Sequence, residues 1–384
     1  MRSQFHTLIL PCVAAAMLLF GHAHGAAAVE GITRDAIKIG MVNAQSGGQS
    51  ANGKAMHQGA AAALAEVNAA GGVHGRKIEL FLADDGYDPQ RTVAESMTLI
   101  EKGKVFALLG YLGTSTTNAM LPVLSALNIP LISVRSGAAS FRTPLIRQIF
   151  NTRVSYDGET EALVAQLVAG GARRIGVVYQ FDGLGLAILS GVTKALQRRG
   201  MQMAGSGSYQ RNSLALNEAV GEMVRARPDA IVVGGVYTAV AAFTSQLKAT
   251  GVAPQLAVGS YVNTIALIKQ MGEDADGMLI SQVLPDLNDV LNGAVQSCRH
   301  TLLKYAQVEL DYSNFEGCVA ARALVAGLEA AGPAPTRDGL IAAMESLKRL
   351  DLGGFTLSFS PTDHQGSSQV YMTQVRGGQA MQMR

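Results

Sequence analysis

Several features are missing from this chain, and each absence narrows what it can do. Beyond the N-terminal segment there is no run of about 18 consecutive apolar residues, the length that a membrane-spanning helix needs. The 31 basic and 29 acidic residues are mixed along the sequence, without the basic stripe that binding to a phosphate backbone requires. Nucleic acid is therefore a poor candidate partner.

Patterns that carry catalysis are absent as well. The chain has no Gly-x-Ser-x-Gly nucleophile elbow and no His-Glu-x-x-His pair. Its histidines beyond the N-terminal segment, among them His57, His74 and His364, are scattered without the spacing of metal ligands. We therefore expect a protein that is not an enzyme and that holds no metal or cofactor. The rival hypothesis is an exported hydrolase that depends on one reactive serine.

Two glycine-rich segments are similar to nucleotide-binding motifs but lack an essential residue. Gly48 to Lys54 has the spacing of a phosphate-binding loop, yet Ala55 replaces the hydroxyl that would hold magnesium. Gly183-Leu184-Gly185 lacks the third glycine of a dinucleotide fingerprint, because Ile188 stands there. Both segments are interpreted as turns into helices.

The N-terminal segment has the order of a secretory signal. A basic residue at Arg2 precedes an apolar run over 8–20, and three small residues end at Ala28. The sequence therefore predicts a signal peptide over residues 1–28, cleaved near Gly25 or Ala28, and a periplasmic protein. In that oxidising compartment Cys298 and Cys318 either form a disulfide or are two small buried hydrophobes.

The rest of the chain alternates β-branched runs with amphipathic segments, which is typical of parallel sheets covered by helices. Strands are predicted at 37–42, 78–83, 105–109 and 129–133, and helices at 53–70, 92–102 and 116–127. After Arg153 the pattern restarts, with strands at 174–179, 201–209, 230–234 and 255–259 and helices at 158–169, 184–199, 214–227 and 238–250. An α/β protein of two Rossmann-like lobes follows, consistent with a length of 384 residues. The tail adds helices at 289–306, 314–331 and 337–347 and a predicted antiparallel pair, 355–359 with 369–375.

Loops at the carboxyl ends of the predicted strands are the expected ligand site of an open α/β sheet. The loop 110–117 presents hydroxyls and amides at a helix N-terminus, and 133–137 offers a second amide-rich loop. The alternative is ordinary helix capping by Thr114 or Ser115.

Four stretches resemble the branched-chain amino acid binding proteins of ABC importers, and the resemblance spans residues 32–375. They are 37–42 with Ser46-Gly47-Gly48, Asn-Ala-Ala-Gly-Gly-Val-His-Gly-Arg from Asn68, Asp84-Asp85 before Asp88-Pro89, and Ser-Asn-Phe-Glu-Gly-Cys-Val-Ala-Ala from Ser313. The resemblance implies a type I periplasmic binding fold, in which two lobes joined by three chain crossings close on a ligand. The implied lobes are 31–154 with 286–353, and 155–285 with 354–384.

The resemblance also implies ligand-binding residues. Thr114 matches the hydroxyl that holds a ligand carboxylate, and Asp157 matches an acidic residue entering the second lobe, with helix capping as its alternative. The remaining candidates are Ser115, Ser136 and Gly137 beside Thr114, and the second-lobe aromatic residue Tyr237.

Two positions depart from the pattern that the resemblance implies. Leu184 stands where many members carry an aromatic residue, and Tyr261 stands where leucine-type receptors place a glutamate for the ligand ammonium. A neutral phenol brings no negative charge, so we expect a ligand without a free α-amino group.

The function implied by the resemblance is that of a monomeric solute-binding protein. It would capture a small carboxylate- or amide-bearing molecule, such as an amino acid, amide or organic acid. Its expected partners are the ABC permease subunits of the inner membrane. A sensory receptor for the same ligand class, which signals rather than transports, is the alternative.

Overall fold

The structure, a computed structural model, describes Met1 and residues 29–383. The predicted signal peptide therefore lies, apart from Met1, outside the described residues. Within 29–383 no helix combines the length and the apolar character that crossing a bilayer requires.

The first lobe is built on a parallel five-stranded sheet in the order β2-β1-β3-β4-β5. Its elements are β1 (Ala36–Asn43), α1 (Ser50–Ala69), β2 (Lys77–Asp84), α2 (Pro89–Glu101), β3 (Ala107–Leu112), α3 (Thr114–Ala126), β4 (Leu131–Arg135) and β5 (Ile149–Phe150). Every residue of β3 and β4 is buried, because helices cover both faces of the sheet.

The second lobe repeats the arrangement. Its elements are α4 (Tyr156–Ala169), β6 (Ile175–Gln180), α5 (Gly183–Gln197), β7 (Gly205–Tyr209), α6 (Asn217–Ala226), β8 (Ala230–Gly234), α7 (Tyr237–Lys248), β9 (Gln255–Val258), α8 (Thr264–Met271) and β10 (Leu279–Gln282). Strand β7 is shorter than the predicted 201–209, because Met201 still donates to the carbonyl of Leu196 at the end of α5. The fold class, α/β with two sheets flanked by helices, is confirmed.

The tail contributes to both lobes. It contains α9 (Gly293–Tyr305), α10 (Tyr312–Ala330), α11 (Arg337–Ser346), β11 (Leu350–Asp351), β12 (Thr356–Leu357), β13 (Tyr371–Arg376) and β14 (Gln379–Gln382). Helix α9 starts four residues later than predicted, because Asn292 caps it by accepting from the amide of Val295. The predicted pairing of 355–359 with 369–375 is wrong. Strand β12 pairs with β11, whereas β13 joins the second sheet, whose order is β14-β13-β10-β9-β8-β6-β7.

Helices α1 and α10 pack closely on one face of the first sheet, and two glycines permit the contact. A Cβ atom at Gly59 would lie 1.8 Å from the carbonyl oxygen of Asn314, and one at Gly317 would lie 2.1 Å from that of Met56. On the same side of the lobe Cys298 of α9 and Cys318 of α10 form a disulfide, with a Cα–Cα distance of 6.2 Å. Of the two alternatives left open by the sequence, the structure has the disulfide.

The chain passes between the sheets three times, over residues 151–155, 283–292 and 360–370. Phe355, Leu357 and Phe359 still pack in the core that α10 and α11 form with the first sheet. Short crossings of this kind orient the carboxyl ends of the strands of both sheets toward one cleft.

Candidate functional site

The cleft between the lobes is lined by loops that follow the parallel strands. The loops after β3 and β4 contribute the first-lobe rim, and those after β6, β7, β8 and β9 contribute the second-lobe rim. The rims touch where Ser115 Oγ lies 3.3 Å from Asp182 Oδ2 and accepts from the amide of Gly183 at 3.1 Å. The structure is therefore a closed arrangement of the two lobes.

Thr114 and Ser136 form the first-lobe side of the cleft. Their hydroxyl oxygens are 2.8 Å apart, and both residues are buried. Neither Thr114 nor Ser115 caps α3, since the capping position is Gly113, which forms no side-chain cap. The capping interpretation is wrong, and both hydroxyls are directed to the cleft instead.

Gly137 brings the backbone of the first lobe against α4. Its carbonyl accepts from the amide of Tyr156 at 2.7 Å, and a Cβ atom there would lie 2.5 Å from the same nitrogen. A side chain at position 137 would therefore push the first lobe away from Tyr156.

Four tyrosines lie around the cleft: Tyr87, Tyr156, Tyr209 and Tyr261. All are buried, and burial raises the pKa of each phenol above its ordinary value. Tyr156 and Tyr261 meet edge to face with ring centroids 5.7 Å apart. All four rings stay neutral at physiological pH and supply apolar surface with hydroxyl groups at its margin.

The Tyr261 hydroxyl is already engaged. It donates to the carbonyl of Val233 at 2.7 Å, at the end of β8. The backbone carbonyl of Tyr261 accepts from Asn52 of the first lobe at 3.3 Å. Tyr261 therefore joins the two lobes as well as lining the cleft.

The other three predicted residues lie in the second lobe. Asp157 pairs with Lys194 at 2.8 Å, and α4 is capped by Ser155, so the capping alternative for Asp157 is wrong. Leu184 is buried in the core inside α5. Tyr237 is half-buried at the first turn of α7.

Asp182 and Arg211 are two charged residues that sequence reasoning missed, and we call them the rim pair. Asp182 follows β6 and caps α5, while Arg211 follows β7. Their closest atoms are 3.6 Å apart, and their side chains are 7% and 16% exposed. Both lie directly after parallel strands, which is the signal that could have found them.

A second group of charges, which we call the floor cluster, lies deeper between the lobes. It contains Arg135 at the end of β4, Arg153 in the first crossing, Glu159 of α4 and Glu316 of α10. Glu316 pairs with both arginines, and Arg153 also pairs with Glu159 at 3.1 Å. Each of these side chains is at most 2% exposed.

The floor cluster is closed by hydrogen bonds from both lobes. Arg135 donates to the carbonyl of Ser260 at 3.1 Å, and Glu159 accepts from Ser260 and Ser281. Burial lowers the pKa of Arg135 despite the charge of Glu316. For Arg153 burial also acts downward, but the carboxylates of Glu316 and Glu159 outweigh it and raise the pKa. The guanidinium of arginine stays protonated in proteins, so both arginines carry a charge.

Two surface depressions lie elsewhere. One of about 410 Å³ lies between α7 and β9, and one of about 450 Å³ lies beside α8. Neither is lined by Thr114, Ser136 or the rim pair. We therefore take the cleft, where both lobes contribute polar side chains at strand ends, as the candidate site.

A family model for periplasmic binding proteins matches residues 36–380 of the chain. The Leu/Ile/Val/Thr-binding protein of Salmonella typhimurium is 23% identical over 65% of this chain and 68% of its own length.

Two solved structures are similar over nearly the whole fold. A "possible leucine/isoleucine/valine-binding protein" from Rhodopirellula baltica has a TM-score of 0.87 and 27% identity, covering 94% of this chain and 98% of its own. A substrate-binding periplasmic protein from Ralstonia solanacearum has a TM-score of 0.85 and 28% identity, covering 90% and 99%.

Proposed function

The chain belongs to the periplasmic binding protein family, and from that premise we propose that it captures a small carboxylate- or amide-bearing ligand and delivers it to the permease of an ABC importer. Solute binding without catalysis is the role of this family. The ligand class, the closing motion and the importer are proposed here for this chain.

One observation carries this proposal: loops from the strand ends of both lobes meet across the cleft. Ser115 of the first lobe contacts Asp182 and Gly183 of the second, and Asn52 contacts the carbonyl of Tyr261. Contacts between the rims exist only when the lobes are closed. A ligand that touches both lobes stabilises this state over an open one, and an importer can recognise the difference.

The hinge of this motion is proposed to be the three crossings. The proposed lobes are 31–154 with 286–353, and 155–285 with 354–384, except that residues 354–359 belong to the first lobe. Because Phe355 and Phe359 pack in the core of the first lobe, the third crossing is placed after residue 359.

The first-lobe rim supports a carboxylate or amide ligand. Thr114 lies in the first turn of α3, where free backbone amides and the helix dipole favour an acceptor group. The Thr114 and Ser136 hydroxyls are hydrogen-bonded to each other, so the pair adds at most one further O–H donor on the same side. We propose that these groups, together with Ser115 and Gly137, hold the acceptor-rich end of the ligand.

We further propose that the ligand lacks a free α-amino group. A buried ammonium needs charged or multiple acceptors to offset its desolvation. Asp157 is occupied by Lys194, and Tyr261 donates its proton to Val233. Calorimetry with leucine, isoleucine, valine and phenylalanine tests this, and submicromolar binding of any of them would contradict it.

We also propose that the protein is exported to the periplasm and that it is a monomer. Cleavage near Gly25 or Ala28 is testable by N-terminal sequencing of the protein recovered from the periplasm. A mature chain that still begins at Met1 would contradict export.

The central experiment combines a thermal-shift screen of organic acids, amides and amino acids with X-ray scattering. A ligand at 100 times its Kd stabilises the protein by about 2.7 kcal/mol, which raises the melting temperature by several degrees. The radius of gyration should fall when this ligand binds, whereas a Ser115→Ala variant, which loses the contact between the rims, should close less completely. Binding of a confirmed ligand with no change in lobe separation would overturn the closing mechanism.

A further inference from the structure

Arg211 reaches across the cleft from the second lobe to the first. It follows β7, and its guanidinium carbon lies 4.3 Å from the centroid of the Tyr87 ring, which follows β2. At this distance the cation is attracted to the face of the ring, and the N–H bonds, which lie in the plane of the guanidinium, remain available to acceptors at its edge. The side chain is only 16% exposed.

The N–H groups of Arg211 lack acceptors. Within residues 29–383 neither Nε nor Nη2 has a hydrogen-bond partner, although both atoms are buried. These two nitrogens form one edge of the guanidinium and together match the two oxygens of a carboxylate. Three other buried arginines, Arg135, Arg142 and Arg153, also leave Nε without a partner, but both of their Nη atoms donate hydrogen bonds.

Asp182 cannot supply the missing acceptors. Its Oδ1 accepts from the amides of Leu184 and Gly185 at the start of α5. Its Oδ2 accepts from Gln180 at 2.7 Å and from Ser115 at 3.3 Å, and lies 3.6 Å from Nε of Arg211. The carboxylate therefore offsets the charge of Arg211 without satisfying its donors.

We propose that Arg211 binds a second anionic group of the ligand, so that the ligand is a small dicarboxylate. This inference rests on the proposed function, in which the first-lobe rim at Thr114 holds one carboxylate. Ser115 and Arg211 approach the same oxygen of Asp182, so donors of both rims lie within the length of one small molecule. The tyrosines contribute the apolar surface between the two carboxylates, and Arg211 sets the specificity against monocarboxylates.

The test is titration calorimetry with succinate, adipate and phthalate, each beside its monoamide and the matching monocarboxylate. We expect the wild-type protein to bind one of the dicarboxylates more tightly than it binds the monoamide of that acid or the matching monocarboxylate. Arg211→Gln should weaken that dicarboxylate about 30-fold or more, since a buried carboxylate loses its charged partner. Arg211→Lys keeps the charge but loses the planar edge, so its loss should be smaller. Arg225→Gln, an exposed arginine paired with Glu222 on α6, is the matched control.

Arg211→Gln also removes the ion pair with Asp182 and the contact with Tyr87, so the free protein should lose some stability. The affinity for the monocarboxylate, which does not reach Arg211, separates the two effects: it should stay close to the wild-type value, whereas a purely structural effect would weaken both ligands. Equal affinity of the wild-type protein for the dicarboxylate and the monocarboxylate, or an unchanged affinity in Arg211→Gln, would overturn the inference but leave ligand capture intact. Failure of the wild-type protein to bind any acid, amide or amino acid would instead overturn the proposed function.

Discussion

The floor cluster and the rim pair are both groups of opposite charge between the lobes, yet they are built differently. In the floor cluster Arg135, Arg153 and Glu316 form direct ion pairs, and all of them are at most 2% exposed. In the rim pair Asp182 and Arg211 are 3.6 Å apart and partly exposed. The floor carboxylates are matched by donors from both lobes, whereas the rim has more donors than acceptors.

The difference separates charges that hold the fold from charges available to a ligand. A buried charge without its partner is costly, so the floor residues depend on one another for stability. At the rim, the imbalance of donors lets an incoming anion gain hydrogen bonds that the free protein does not make. Burial of a charge alone therefore does not identify a binding site. The distinguishing feature of Arg211 is that two neighbouring nitrogens on one edge of its guanidinium both lack acceptors, whereas Arg135 and Arg153 each leave only Nε without one.

The largest effect is expected from breaking the floor cluster. Glu316→Gln leaves Arg135 and Arg153 short of a buried counter-charge, and should lower the free energy of unfolding by about 3–5 kcal/mol. Urea denaturation measures this loss. Glu329→Gln, an exposed position on the same helix α10, is the control, and an equal loss in the two variants would remove the distinction between buried and exposed charge.

The next largest effect is expected from removing the disulfide that joins α9 to α10, the helix that carries Glu316. The disulfide between Cys298 and Cys318 closes a loop with a sequence separation of 20 residues. Replacing both cysteines by serine should lower the free energy of unfolding by about 3 kcal/mol. An unchanged denaturation midpoint, measured with and without a reducing agent, would show that packing alone holds α9 on α10.

At the first-lobe rim, unlike in the floor cluster, a substitution should weaken ligand binding more than it lowers the stability of the free protein. Thr114→Val removes a donor facing the cleft while keeping the shape of the side chain, and should weaken ligand binding by about 1–3 kcal/mol. The melting temperature of the free protein should change much less than that of the complex. If both fall equally, Thr114 serves the fold rather than the ligand.

The smallest effect is predicted for Asp84, a partly exposed carboxylate at the end of β2 that accepts several hydrogen bonds. Burial acts to raise its pKa, but hydrogen bonds from the side chain of Ser46 and from the amides of Gly86, Gln45 and Ser46 outweigh it. They hold the pKa at about 2 instead of 3.8. Because the folded-state pKa is lowered, this stabilisation is present above about pH 4 and disappears as the pH falls through about 2.

Asp84→Asn should therefore cost about 1 kcal/mol at neutral pH, a value reduced for the partial exposure of the carboxylate. Urea denaturation at pH 7, 4 and 2.5 should show the wild-type advantage shrinking toward acid. A constant difference over this range would mean that the hydrogen-bond geometry, rather than the charge, stabilises the turn.

Much of the fold could be predicted from local sequence patterns. The alternation of strands and helices and its restart after Arg153 are visible in the sequence, and the two-lobed α/β fold is confirmed. Some predictions that failed are local, namely the starts of β7 and α9 and the capping alternatives. The failed strand pairing concerns a long-range partner. The pattern over 355–359 fits a strand in either lobe, and only packing decided that Leu357 belongs to the first-lobe core while β13 joins β10.

The candidate site also has one part that local sequence predicts and another that only the tertiary structure shows. Thr114, Ser115, Ser136 and Gly137 were found from the sequence, because a loop between a strand and a helix brings hydroxyls and amides together locally. Arg211, Asp182 and Tyr87 follow three strands of two different sheets, so no sequence spacing relates them. The sequence by itself determined the two lobes and the first-lobe rim. Only the tertiary structure decided which charges meet across the cleft, because that depends on how the three crossings place one lobe against the other.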